Sequence, residues 1–337
     1  MAFDLTGQAL GYGDGSLGDV AATAGEVCVN AYAKVTDITS STITIADATT
    51  NAYGGFTAGM EILFQIVDVD NASSSKKYIG CWRVHKIKSV AGSVLTVTNK
   101  PTKVISASNF TNHVVAAQVI TLPNFKNVTV NKNVSFKSTP YANGRGGVVA
   151  FKCSGTLKFA GGHIDVNDAG LFSSRSTLNQ EAAQLDVVNT AHQYTGWENF
   201  ATQKHFTLNT GCGSVFLIAK KLTGNSSSRI GNPNVQGVAY CAGDYNVSLD
   251  NLDPMSSLAP AGTTIRGGAT ILICAGTISS FNVKMLAKYR SSTVAVQGLG
   301  RCYIASETEL PCDEALYAYD RISTPTRLQD TFNIKNF

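Results

Sequence analysis

The sequence predicts an all-β protein with few helices, in which a small N-terminal β domain precedes glycine-bounded, stacked strands. Polar and apolar residues alternate in short runs, as at residues 41–45, and this period of two is typical of half-buried strands. Thr, Val and Ile dominate the first part of the chain, and such branched side chains favour pleated surfaces. Apolar runs bounded by glycine recur in the second part, which is typical of a β-helix-like stack or a β-sandwich.

The composition predicts a folded chain with a largely uncharged polar surface. Hydrophobic residues make up 44% of the 337 residues, which is enough to bury a core. Charged residues make up only 15%, against about 25% in an average soluble domain. Intrinsic disorder requires the opposite balance of charge and hydrophobicity. A surface rich in Ser, Thr, Asn and Gly suits a protein that packs against neighbours in an assembly.

Charge and hydropathy argue against two classes of partner. The net charge is only +4 and no dense run of Lys or Arg occurs, so no nucleic-acid partner is expected. No apolar run reaches the roughly 18–20 residues of a membrane span, so no membrane insertion is expected. Residues 1–7 lack the basic and apolar regions of a secretory signal, which predicts synthesis in the cytoplasm.

The cysteines and histidines show no metal-site spacing, and neither a metal nor a cofactor is predicted. The eight cysteines are scattered singly without a C-x-x-C pair, and we interpret them as small buried thiols. No two of the five histidines are four residues apart, the spacing of a helical metal site.

The N-terminal half divides into two predicted segments. Residues 1–25 are rich in Gly and Asp and are predicted to form an extended arm for attachment. Residues 26–140 consist of short alternating strands and are predicted to form the N-terminal β domain. Within it, the Gly-containing turn at residues 91–93 lies between two apolar runs, which indicates a β-hairpin.

Residues 141–306 are predicted to be the repeat-containing, β-helix-like or β-sandwich domain, and residues 307–337 a C-terminal tail. Three similar segments begin at Gly147, Gly213 and Gly268, roughly 55–65 residues apart, which exceeds the usual solenoid period. A Gly-Thr pair follows two of these runs, and we interpret it as a sharp turn into a second, shorter strand.

The segment between the first two copies, residues 173–206, contains the predicted binding residues. Residues 179–188 are a short helix candidate. His192, Tyr194 and Trp197 follow, and aromatic side chains in an exposed loop suit stacking on a sugar ring or a partner protein. The alternative is that these side chains pack the loop onto the sheet. We therefore take these three residues as candidate ligand- or receptor-binding residues.

The order of several motifs resembles a known group of proteins. Residues 56–65, 119–130, 146–157, 162–166 and 215–224 together resemble the β-rich structural proteins of tailed-bacteriophage tail fibres, tail tips and baseplates, with related repeats in bacterial surface adhesins. The resemblance implies a virion protein of the phage tail that attaches to other tail or baseplate proteins and recognises the host surface, with a host glycan as an expected ligand. It also implies a homotrimer, since fibres close their sheet edges by symmetric association.

Three alternatives remain open from the sequence: a bacterial cell-surface adhesin, a head fibre or capsid decoration protein, and a glycan depolymerase. A missing secretory signal favours the virion protein over the adhesin. A depolymerase needs two carboxyl groups across a groove. The resemblance brings no catalytic motif and no G-x-S-x-G elbow occurs, so no enzyme is expected. The carboxylates considered for that activity are Asp165, Asp168, Asp244, Asp250 and Asp253.

Overall fold

The protein is mostly β. The computed structural model describes residues 3–5, 8–70, 78, 81–166, 169, 213–231, 270–281, 283–286 and 301–306. Within these residues the helical elements are α1 (Ala107–His113) and the 3-10 turn Pro101–Lys103. Nowhere in this described part of the chain does a helix have the length and apolar character of a membrane span.

The strands follow in chain order: β1 (Phe3–Leu5), β2 (Gln8–Leu10), β3 (Val20–Ala22), β4 (Gly25–Val27), β5 (Tyr32–Ile38), β6 (Thr42–Ala46), β7 (Glu61–Val69), β8 (Trp82–Ala91), β9 (Val94–Val97), β10 (Val114–Thr121), β11 (Asn124–Phe125), β12 (Val128–Asn131), β13 (Val134–Lys137), β14 (Val148–Ala160), β15 (His163–Asp165), β16 (Ser214–Gly224), β17 (Arg229–Gly231), β18 (Thr270–Phe281), β19 (Lys284–Leu286) and β20 (Arg301–Ser306).

Six strands form a closed antiparallel barrel in the order β10-β5-β6-β9-β8-β7. The predicted hairpin at residues 91–93 is confirmed, since Ala91 pairs with Val94 across the turn between β8 and β9. Phe110 of α1 contacts Phe64 of β7, with 6.4 Å between ring centroids, so the helix packs on the barrel core. This helix was not predicted from the sequence, although Ser106 caps it by accepting a hydrogen bond from the Asn109 N–H at 3.2 Å.

Two parallel sheets form a second unit, which we call the stack. The larger sheet has the order β20-β18-β16-β14-β12-β3, with β11 also beside β14, and the smaller has the order β19-β17-β15-β13-β4. The three similar segments of the sequence are β14, β16 and β18, and they lie side by side in register. Val149 is level with Val215, which is level with Ile271. The repeat in the sequence is therefore a repeat of neighbouring strands.

The apolar core of the stack lies between its two sheets. Phe136 of the smaller sheet meets Phe151 of the larger one edge to face, with 5.9 Å between ring centroids, and both side chains are fully buried. Burying one such side chain contributes about 1.5–3 kcal/mol. Residues 148–153 are buried on both faces of β14, because one face covers this core and the other packs against the barrel. This double burial explains their continuous apolar run.

The barrel is inserted into the stack along the chain. Strands β3 and β4 precede the barrel and pair in parallel with β12 and β13, which follow it. The predicted segments 1–25 and 26–140 divide the chain differently, because their boundary falls inside β4 and they place β3 in an arm and β12 and β13 in the barrel's domain. Parallel pairing joins Val20 to Val128 across the whole barrel, and no local pattern in either segment indicates such a pairing.

The interpretation of the Gly-Thr pairs as sharp turns is wrong. Strand β14 runs straight through Gly155 and Thr156, and the ladder to β16 is only irregular there. Glycine is needed at position 155 because residues 126–127 come very close to it. A Cβ atom on Gly155 would lie 2.7 Å from the Lys126 carbonyl oxygen and 2.3 Å from Asn127 Oδ1. The actual turn follows at residues 161–162.

The strand ends from which the long connections begin all lie on one side of the stack. Parallel strands run in one direction, so the connections that follow the strands of the smaller sheet all leave from the same edge. The barrel is one of these connections, between β4 and β11. Opposite connections, from the larger sheet to the smaller, are short, such as residues 132–133 and 161–162. The other strands of the smaller sheet that end at this edge are followed along the chain by residues 138–147, 166–213, 232–269 and 287–300 before the next strand of the larger sheet begins.

Candidate ligand-binding site

The predicted binding residues His192, Tyr194 and Trp197 lie outside the described residues, as does the predicted helix at 179–188. The two described ends of their segment are adjacent in space. The Gly213 N–H donates to the Val166 carbonyl oxygen at 2.7 Å. Val166 and Gly213, which flank this segment in the sequence, are therefore direct neighbours in the stack.

Of the carboxylates considered for glycan cleavage, Asp165 lies within the described residues. Its Oδ2 is 3.6 Å from Nζ of Lys137, which also binds the Glu26 carboxylate. The hydrogen bond that Lys137 donates to Glu26 and the nearby Asp165 charge raise the pKa of Lys137. The described contact of Asp165 is thus an ion pair along the smaller sheet. Asp168, Asp244, Asp250 and Asp253 lie outside the described residues.

A shared apolar core fixes the barrel against the outer face of the larger sheet. Trp82 of β8 meets Phe216 of β16 edge to face, with 5.4 Å between ring centroids. Buried polar contacts cross the same interface. The Gln118 side chain of β10 donates to the Gly146 carbonyl oxygen at 3.1 Å, and the Gly146 N–H donates back at 2.8 Å. Every such bond restricts how the barrel can turn on the sheet.

Asn30 and Tyr32 make the most extensive polar contacts at this interface. The Asn30 amide donates to the carbonyl oxygens of Thr121 at 2.8 Å and Ala150 at 2.6 Å, and it accepts from the Ala150 N–H at 3.0 Å. The Tyr32 hydroxyl donates to the Val148 carbonyl oxygen at 2.6 Å. Complete burial raises the pKa of Tyr32 well above its usual value. These side chains satisfy backbone groups of β14 that would otherwise be unpaired.

A polar cavity of about 300 Å³ opens where the N-terminal segment, the barrel and the larger sheet meet. Strand β8 contributes four consecutive lining residues and β14 contributes Lys152. We call this space the junction cavity. The residues that line it are Ala9, Leu10, Gly11, Glu61, Arg83, Val84, His85, Lys86, Thr98, Asn99 and Lys152.

Glu61 and Lys152 form a buried charge pair in the junction cavity. Nζ of Lys152 lies 2.9 Å from the Glu61 carboxylate oxygens, and the Lys152 side chain is only 3% exposed. The Asn124 amide also donates to Glu61, at 3.0 Å. The Glu61 carboxylate therefore compensates the charge of Lys152, and the hydrogen bonds from Lys152 and Asn124 fix its position.

Arg83 and Lys86 add two further positive charges to the junction cavity. Nε of Arg83 is buried and has no hydrogen-bond partner among the described residues. Lys86 is exposed and stands level with Glu61 on the adjacent strand β7. Its charge reaches as far as Asp14, whose pKa is lowered mainly by hydrogen bonds from Ser16 and to a lesser degree by Lys86. With Lys152, the lining carries three fixed cations and one carboxylate.

His85 is a neutral member of the cavity lining. Burial of the ring lowers its pKa to about 4, so it is uncharged at neutral pH. Its Nδ1 lies 2.9 Å from the Thr98 carbonyl oxygen. Since a carbonyl only accepts hydrogen bonds, Nδ1 carries the proton and Nε2 carries the lone pair. The cationic character of the cavity thus comes from Arg83, Lys86 and Lys152.

The sequence did not indicate the junction cavity, because Glu61 and Lys152 are 91 positions apart. One signal was present. Lys152 interrupts an apolar run, residues 147–153, that the pattern predicts to be buried. A buried lysine is rare unless it is paired, so this position implies a carboxylate partner from elsewhere in the chain.

Within the described ranges, no group of three or more His, Cys, Asp or Glu side chains is arranged to hold a metal ion. Comparison of the chain with protein-family models, with curated proteins and with solved structures found no match.

Proposed function

We propose that this chain is a structural protein of a bacteriophage virion, located in the tail fibre or baseplate. One part attaches it to other tail or baseplate proteins, and another recognises the host surface. The observation that carries the proposal is the rigid joining of two β units. A closed barrel is inserted into a stack of parallel strands. It packs on the outer face of the larger sheet through an apolar core that the two units share.

Rigidity is the physical reason for this assignment. A tail component must transmit the position of a contacted surface to the rest of the particle, which a flexible linker between two domains would prevent. Here the barrel cannot move without breaking buried hydrogen bonds such as those of Asn30 and Tyr32. Repeated parallel strands around an apolar core also support a β-helix-like rather than a sandwich architecture for the stack.

The recognition surface is proposed on the side of the stack where the barrel lies and from which the long connections begin. Insertions between repeats commonly carry the binding face of such proteins. Val166 and Gly213 lie on this side, and they flank the segment of the chain that contains His192, Tyr194 and Trp197. The proposed ligand is a host-surface glycan that stacks on these aromatic side chains. The protein is proposed to act as a homotrimer without enzymatic activity.

Localisation is the first test. Antibodies raised against the purified chain are applied to phage particles from a lysate of the producing host and examined by electron microscopy. Label on the tail, together with reduced adsorption of the phage to its host, is the expected result. Label on intact, unlysed cells would instead identify the chain as a surface adhesin, and label on the head would identify a head fibre or decoration protein.

Native mass and polysaccharide cleavage test the remaining parts of the proposal. Light scattering on the purified protein is expected to give the mass of three chains. Incubation with host capsule or wall polysaccharide is expected to release no new reducing ends. A monomer would contradict the free-standing fibre and favour a baseplate subunit, whereas released reducing ends would show a depolymerase.

A further inference from the structure

We propose that the junction cavity binds a sugar-sized ligand through an oxyanion, either a carboxylate or a phosphate. The inference rests on the cavity alone and does not depend on the chain being a virion protein. Ligand sites have volumes of about 300–1,000 Å³. At about 300 Å³, the junction cavity is at the lower end of this range and suits a single small ligand.

The charge of the lining selects an anion. Lys152 and Glu61 compensate each other at 2.9 Å, and Asn124 occupies a further acceptor position of the carboxylate. Arg83 and Lys86 are then left without a carboxylate partner within ion-pair distance among the described residues. The lining thus has two more cations than carboxylates, and this surplus beside a confined space raises the local concentration of anions.

Arg83 identifies the kind of anion. Its Nε is buried, and among the described residues it finds no acceptor. A buried donor without a partner is costly, and a bound acceptor removes that cost. The planar guanidinium presents parallel N–H groups that match the two oxygens of a carboxylate or phosphate. A neutral hydroxyl group offers no such pair of charged oxygens.

The rest of the lining suits the uncharged part of a polar ligand. Thr98 and Asn99 provide hydroxyl, amide and backbone groups beside the two cations. Val84 and Leu10 are buried in the barrel core, so the surface that the junction cavity offers to a ligand is predominantly polar. An acidic monosaccharide, with one oxyanion and several hydroxyl groups on a small ring, has this combination of chemical groups.

The experiment is isothermal titration calorimetry on the full chain at low ionic strength. The probes are glucuronic acid for the carboxylate, glucose 6-phosphate for the phosphate, and glucose as the neutral analogue. We expect at least one charged sugar to bind and glucose to show no measurable binding. Which charged sugar binds more tightly distinguishes a carboxylate ligand from a phosphate ligand, and inorganic phosphate tests whether the oxyanion binds without the ring.

Two variants test the assigned side chains. Arg83→Gln and Lys86→Gln should each weaken binding of the charged sugar by about tenfold or more, as expected for loss of a charged hydrogen bond. Lys86 is exposed, so its variant folds even if the Arg83 variant does not. The matched control is Lys88→Gln, an exposed lysine on the same strand that does not line the junction cavity. It should leave binding unchanged.

Three outcomes would overturn the proposal. The first is that none of the charged probes binds the folded wild-type chain. The second is that glucose binds as tightly as its charged analogues. The third is that Lys88→Gln weakens binding as much as Lys86→Gln does, which would indicate only a general attraction of anions to the surface.

Discussion

Lys152 of the larger parallel sheet and Glu61 of the barrel form a charge pair that joins the two units, with 2.9 Å between Nζ and the carboxylate. The lysine side chain is 3% exposed and the glutamate 22%. Both charges are therefore largely removed from water and depend on each other for compensation. The pair is a fixed part of the interface, unlike the exposed pair between Lys137 and Glu26.

Glu61→Gln should strongly destabilise the protein. The substitution leaves the Lys152 ammonium buried without its counter-charge, and removal of one partner of a buried pair costs about 3–5 kcal/mol. Glu61 is partly exposed, so we expect a loss near the lower end of this range. The free energy of unfolding from urea denaturation measures it.

The control for this prediction is Glu26→Gln, which breaks the exposed pair with Lys137. Screening by water limits such pairs to less than about 1 kcal/mol. Equal losses in the two variants would contradict the structural role assigned to the buried pair.

Asn30→Ala should loosen the barrel from the stack. The change removes two donated bonds and one accepted bond, leaving the carbonyl oxygens of Thr121 and Ala150 and the Ala150 N–H without the Asn30 side chain. Each unsatisfied buried group costs about 1–3 kcal/mol. Hydrogen exchange at Ala150 should increase more than exchange in the stack core at Phe151. The exposed bond of Thr36 to Thr44 provides a control, since Thr36→Ala should alter neither rate.

The stability of the protein should decrease in mild acid because of His85. Its pKa is 6.5 in the unfolded chain and about 4 in the folded one. The unfolded state therefore takes up the proton first as the pH falls, and stability is lost between about pH 6.5 and pH 4. Above pH 6.5 the contribution of neutral His85 to the free energy of unfolding is fully present. Its loss at low pH amounts to at most about 3 kcal/mol.

The measurement is the free energy of unfolding at pH 7.5 and pH 4.5, for the wild type and for His85→Gln. Glutamine keeps an amide that can donate to the Thr98 carbonyl oxygen but does not titrate. Its variant should show a smaller difference between the two pH values. A difference identical to that of the wild type would show that other groups cause the acid sensitivity.

Residues 170–211 should be replaceable by a short Gly/Ser linker without unfolding the stack. The hydrogen bond between Gly213 and Val166 holds the two ends of this segment together, so closing it with a few residues requires little strain. Circular dichroism and the melting temperature should remain close to those of the wild type. Loss of the cooperative transition would show that the stack requires the segment.

The same segment allows a direct test of the predicted binding residues. The full chain with His192, Tyr194 and Trp197 all changed to alanine should fold normally but compete less well with phage for host cells. The linker variant should lose competition to the same extent. If either variant still competes as well as the wild type, recognition does not depend on these residues.

Local patterns in the sequence predicted the strand content and the neighbouring copies of the stack. The hairpin between β8 and β9 needs only alternation and a turn, and both are local. The three similar segments β14, β16 and β18 lie side by side in register, because their similar apolar patterns bury equivalent faces of each strand. The Gly-Thr pairs were wrongly interpreted as turns. The local sequence does not distinguish a glycine that allows the close approach of a neighbouring strand from a glycine in a turn.

The sequence by itself determined that this chain is built mostly of strands, since the periodicity of side chains acts over a few residues. Only the tertiary structure decided that β3 pairs with β12 across an inserted barrel, and that Lys152 meets Glu61 in the junction cavity. Parallel pairing and buried charge compensation join residues about a hundred positions apart. Their free energy depends on the geometry of the assembled chain, which no short segment contains.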